Sequence, residues 1–125
     1  MSARAILIYF ACLQIAHAGT IETLSLVESN NRDGVVGSHS ERSRWQMMPY
    51  VWSRWHLVAG DEFNVALCRR VVVLELKDRE REFMQTHHRK PTAKEWCWLW
   101  HCPARVDHPT MDDQEYARRF ALAQR

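Results

Sequence analysis

Apolar residues recur at intervals of three and four along this chain, and polar, glycine or proline breaks divide them into five helical segments. Thr20 is placed to cap a first helix that runs to about Ser29. Residues Asn30 to Arg44, with Gly34, Gly37 and many Ser, Asn and Asp side chains, read as a loop or short hairpin. Pro49 suits the first turn of a short second helix carrying Val51, Trp52 and Trp55. Asp61 is expected to cap a third and longest helix, in which Phe63, Leu67, Val71 and Leu74 form one buried stripe. The run Val71-Val72-Val73-Leu74 also fits a buried strand, but its flanks favour one continuous helix with a solvated tail from Lys77 to Arg81. Thr92-x-x-Glu95 is a capping box that starts a fourth helix, Ala93 to about His101, stopped by Pro103. Thr110 caps a fifth, with Tyr116 and Phe120 on its inner side. The expected fold is therefore mainly α: a small helical domain with a loop or short hairpin after the first helix, and the longest helix at its centre.

The first residues change the boundaries of that domain. Arg4 supplies a basic start, Ala5 to Ile15 an apolar stretch, and Ala16-His17-Ala18 a small-residue cleavage site. Residues 1–18 therefore read as a signal peptide, and residues 19–125 as the domain that is secreted or periplasmic. The apolar stretch is too short for a stable membrane span, and Phe10-Ala11 before Cys12 is a poor lipoprotein context. After cleavage the domain holds 16 basic residues against 15 acidic ones. Such a balance gives no support to a nucleic-acid partner, which calls for a concentrated basic face. Cys68, Cys97 and Cys102 then leave an odd thiol. Cys97 to Cys102 closes the shortest loop, pairing of either with Cys68 is equally open, and paired zinc-ligand spacings are absent.

Candidate chemistry centres on Glu28. At about 100° per residue, Ile21 and Leu24 flank its direction on the first helix while Leu26 points away. A carboxyl group partly removed from water resists ionisation, the property that lets a glutamate protonate a glycosidic oxygen at neutral pH. Ser29 follows it, and the loop beyond offers Glu41 and Asp33 as possible second carboxylates. Gln46 can both donate to and accept from a sugar amide or hydroxyl. Among the six tryptophans, Trp45 and Trp100 are the candidates for a sugar-facing cleft. His87-His88 with Arg89-Lys90 reads as a polar helix end, and Ser-His-Asp order, phosphate loops and dinucleotide glycine patterns are absent.

Glu28-Ser29, then Ser43-Arg44-Trp45-Gln46, then Met47-Met48-Pro49 and Trp52, resemble the lysozyme-like superfamily, most closely the lytic transglycosylase and resuscitation-promoting-factor type. Trp98-Leu99-Trp100-His101 before Cys102-Pro103, and Tyr116 to Phe120, resemble its later segments more weakly. The chain departs from the pattern at Ser43, where Gly is usual, and at His101, where Asn is usual. The resemblance implies a lysozyme-like helical domain that cleaves the MurNAc–GlcNAc bond of peptidoglycan. Glu28 is its acid/base, and Ser29, Glu41, Trp45, Gln46, Trp100 and His101 are substrate-side residues. It implies no cofactor and no metal, and the partner is the peptidoglycan glycan strand. Two carboxyls would indicate hydrolysis, whereas one glutamate suffices if the sugar's own 6-hydroxyl closes an anhydro ring. A catalytically inactive glycan-binding or assembly module on the same frame is the alternative.

Overall fold

The computed structural model describes residues 20–124, and five α-helices hold most of these residues. The expected signal peptide and Cys12 lie outside the described residues. Helix α1 spans residues 20–29, burying Ile21 and Leu24 and exposing Leu26, as its periodicity requires. Residues 30–48 form an irregular loop in which Asn30, Asn31, Ser40, Ser43 and Gln46 all take left-handed φ angles. Its hairpin character is reduced to one antiparallel bridge, Arg42 with Met47, closed by two backbone hydrogen bonds of 2.9 and 2.7 Å.

Helix α2 (Pro49–Arg54) begins at the proline and buries Val51. Helix α3 (Val65–His87) starts later than the expected cap. Asp61 opens a 3-10 turn over Asp61–Phe63, its carboxylate accepting from Val58 N at 2.8 Å, and Asn64 caps the helix by accepting from Leu67 N at 3.1 Å. Phe63 therefore lies outside the helix and is 63% exposed. The buried stripe is instead Cys68, Val71, Val72, Glu75, Leu76, Arg79 and Phe83, so the valine run is helical. Arg79, expected in a solvated tail, is buried because it reaches across to another helix.

Helix α4 (Ala93–His101) carries the Thr92–Glu95 capping box, and α5 (Met111–Ala123) carries a second one between Thr110 and Asp113. Five consecutive residues of α4, Trp96 to Trp100, are buried, and α4 packs on both α3 and α5. A helix apolar all round belongs inside, so the centre of the core is the short α4, not the longest helix. Among the described residues, no helix is long and apolar enough to cross a membrane.

Candidate functional site

Glu28 lies near the C-terminal end of α1 with its side chain 14% exposed. The phenol of Tyr116, on α5, donates to its Oε1 at 2.7 Å across 88 positions of sequence. Tyr116 is itself buried; that burial first, and the Glu28 carboxylate second, hold its phenol protonated far above the ordinary range. It is thus a permanent donor. Among the described residues, Glu28 Oε2 receives no hydrogen bond, so the phenol fixes one of the two oxygens.

His101, the last residue of α4, lies flat on the Tyr116 ring, with centroids 3.9 Å apart and planes 11° apart. Its Nδ1 is 3.8 Å from Glu28 Oε1 and its Nε2 is 3.6 Å from Asp113 Oδ1. Asp113 is almost fully buried and accepts two bonds from Arg105, each 2.8 Å, and one from Thr110 N at 2.9 Å. The Arg105 pairing holds this carboxyl well below the usual carboxylate range, so Asp113 stays an anion at working pH. Arg79, from α3, donates to the carbonyls of Leu99 at 2.6 Å and Trp100 at 3.1 Å. A cation on the last turn of a helix satisfies carbonyls that have no partner within it, and here it fixes the end of α4 that carries His101.

The loop is tied to the same helix end. Ser29, 4% exposed, donates to Arg44 O at 2.7 Å and accepts from Arg32 N at 3.1 Å, so it staples the loop to α1 and does not bond Glu28. Gln46 spends both amide hydrogens on backbone carbonyls, Val35 O at 2.9 Å and Ser43 O at 3.0 Å. That leaves its oxygen as an acceptor only. Glu41 accepts from His39 N at 2.8 Å. Both side chains close over Gly37, where an added Cβ would sit 2.1 Å from Glu41 Oε2 and 2.7 Å from Gln46 Oε1. Ser43 has φ 70°, the left-handed conformation that favours glycine. Its hydroxyl accepts from Trp45 N at 3.2 Å, a local bond that offsets part of that strain.

The structure therefore separates the sequence-derived candidates. Glu28 and His101 come together, and Glu41 joins Gln46 over Gly37. Asp33 is paired with Arg44 at 2.7 Å. Trp45 and Trp100, expected to line a cleft, are core residues. Trp45 has no exposed surface and donates to Ile21 O at 2.8 Å, while Trp100 is 7% exposed and donates to Trp45 O at 2.9 Å. Their ring faces are spent on packing, because a domain this small has few other side chains large enough to fill its interior.

Sequence reasoning placed Tyr116 on an inner helix face without assigning it to the site. A buried tyrosine needs a partner for its hydroxyl, which was the available signal. Asp113 sits three residues after Thr110, so its place at a helix start was readable, but its approach to His101 was not. The cysteines Cys68, Cys97 and Cys102 are all free, and burial pushes their thiols up to about 11, 12 and 12.

Comparison of the chain with family models, with characterised proteins and with solved structures returned no match.

Proposed function

We propose that this chain is an exported, lysozyme-like domain that cleaves peptidoglycan at the bond between N-acetylmuramic acid and N-acetylglucosamine, with Glu28 as the acid/base. One observation carries the reading: a largely buried side chain whose Oε1 is held by a buried phenol and whose Oε2 receives no hydrogen bond among the described residues. Glu28 delivers its proton from Oε2 to the glycosidic oxygen, which leaves with the bonding electron pair. The carboxylate then takes the proton of the sugar's 6-hydroxyl, whose oxygen attacks the anomeric carbon and closes a 1,6-anhydro ring. The acid is regenerated, and no water is consumed. The anhydro route is favoured over hydrolysis because the other carboxylates near the loop and helix ends are engaged, Asp33 with Arg44, Glu41 with His39 N and Asp113 with Arg105.

Ser43 and His101, which replace the glycine and asparagine of the resembled motif, favour a second reading as a glycan-binding or assembly module without turnover. Mass analysis of purified peptidoglycan after incubation separates the two: anhydro-muropeptides support cleavage, and retention on the wall without product supports binding alone. Glu28→Gln is expected to fold normally and to lose muralytic activity by about a hundredfold or more. Equal wall clearing by this variant and the parent would overturn the assignment of Glu28.

A further inference from the structure

The run His87-His88-Arg89-Lys90 reads in the sequence as a polar helix end, and the proposed cleavage makes no use of it. His87 is the last residue of α3, and its ring reaches the segment that joins α4 to α5. That ring lies flat on Phe83, with centroids 3.9 Å apart and planes 9° apart, so the directions of its two nitrogens are fixed. Nδ1 is 3.0 Å from Phe83 O, and Nε2 is 2.6 Å from Asp107 Oδ1. Both separations are those of hydrogen bonds.

Neither partner has a hydrogen to give, since a carbonyl and an ionised carboxylate are acceptors only. A neutral imidazole carries one N–H. Whichever nitrogen holds it, the other turns a lone pair toward an oxygen at bonding distance. An imidazolium carries two and satisfies both contacts. Its surroundings suit the cation as well. Positive charge is favoured on the last turn of a helix, and the Phe83 ring presents its electron-rich face. Asp107 supplies the opposite charge. The like charge nearby is Arg89, from the turn after α3, with its guanidinium carbon 5.1 Å from the Phe83 ring centre. Arg89 is itself paired with Glu95 of α4 at 2.7 and 2.8 Å, and Arg105, two residues before Asp107, is paired with Asp113 of α5. The Asp107 bond first, and the Phe83 carbonyl second, raise His87 above the ordinary histidine value, while Arg89 opposes them.

Asp107 belongs to the stretch that sets where α5 begins. Val106 beside it is buried, His108 N donates to Arg105 O at 3.0 Å, and Thr110 caps the helix. We propose that His87 and Asp107 form a proton-dependent clasp between the end of α3 and the connection from α4 to α5, closed while the ring is an imidazolium and loosened when it becomes neutral. Release removes the tie to α3 and leaves Arg105 on Asp113. The clasp is independent of the proposed cleavage, and its tests need no substrate.

Ring-nitrogen NMR titration of the full domain, folded and in urea, compares the parent with Asp107→Ala. The Asp107 side chain is 57% exposed, so its truncation leaves the core in place. The His87 midpoint of the folded parent is expected above that of the urea-unfolded chain, and most of this displacement is expected to vanish in Asp107→Ala. A midpoint that the variant shares with the parent overturns the proposal. The backbone amide resonances of Val106, Asp107 and His108 are expected to move with the His87 midpoint in the parent and to lose that step in the variant. A ring that titrates without a response from those amides also overturns it. Thermal unfolding supplies an independent check of sign. A histidine whose folded value is raised contributes stability that is complete below its unfolded value and is lost as pH rises through the folded one. The melting-temperature advantage of the parent over Asp107→Ala is therefore expected to be largest at about pH 5.5 and to narrow toward about pH 9. A gap that fails to narrow across that range overturns the clasp.

Discussion

Tyr116 illustrates how much of this site rests on one hydroxyl. Its phenol cannot ionise in its buried position, so it always donates to Glu28, and donation to a carboxylate is stronger than to a neutral carboxyl. In the proposed reaction the bond tightens as Glu28 releases its proton, which is the condition for lowering a barrier and not merely for binding. Hydrogen bonds to charged groups contribute about 1.5–3 kcal/mol, and about 1.4 kcal/mol corresponds to a factor of ten in rate. Under the proposed function, Tyr116→Phe is thus expected to slow cleavage by about one to two powers of ten. The stack on His101 uses the ring, not the hydroxyl, and survives the change. Muralytic rates with parallel thermal unfolding check this, and an unchanged rate would remove the phenol from the mechanism.

Helix starts bind the fold to pH through two capping boxes. Glu95 accepts from Thr92 N at 2.9 Å and pairs with Arg89 at 2.7 and 2.8 Å, and the Arg89 bonds first, with the Thr92 bonds behind them, hold its carboxyl down to about 2. Asp113 repeats the arrangement on α5 with Arg105. Both are folded-state carboxyls lowered below their unfolded values of about 4. Their stabilisation is complete above that pH and is lost as pH falls through about 2 for Glu95 and lower still for Asp113. The melting temperature is expected to drop steeply between pH 4 and 2, and Glu95→Gln to flatten part of that slope. An acid slope equal to the parent's would show that the first turn of α4 is held by packing alone. Arg79, the cation expected in solvent, is drawn inward because the carbonyls ending α4 need donors.

Across the domain, core and site are made from the same helices. The buried tryptophans of α4 fix its position between α3 and α5, and the two ends of that packing bring His101 over Tyr116 and Tyr116 to Glu28. The free thiols lie in this interior: Cys68 and Cys97 have no exposed surface and Cys102 is 4% exposed. Only a thiolate reacts readily, and with burial holding these groups at about 11 to 12 they remain thiols at neutral pH. In the native domain at pH 8 they are expected to label with an aromatic disulfide reagent at least about a hundredfold more slowly than in denaturant. Rapid native labelling of any of the three would place that cysteine outside the packed interior.

The positions of the helices and the starts of α2, α4 and α5 were legible in the order of residues, because caps and periodicity act between neighbours three or four apart, whereas α3 is capped at Asn64 and not at Asp61. Pro49, the Thr92–Glu95 box and the Thr110 cap each mark the start of a helix in the structure, and Glu28 is on the inner side of α1 as spacing requires. Three expectations about burial failed, Phe63 because α3 starts after it and the others because of tertiary packing. Phe63 left the core; Arg79 entered it, and Trp45 and Trp100 filled it, since which face is covered depends on what packs against it. The partners of Glu28 belong to that same class. Tyr116 and His101 lie 88 and 73 positions away from Glu28 in the chain, and no local rule reaches so far. Residue order supplies the carboxyl and the helix beneath it, while the folded packing supplies the phenol and the imidazole beside it.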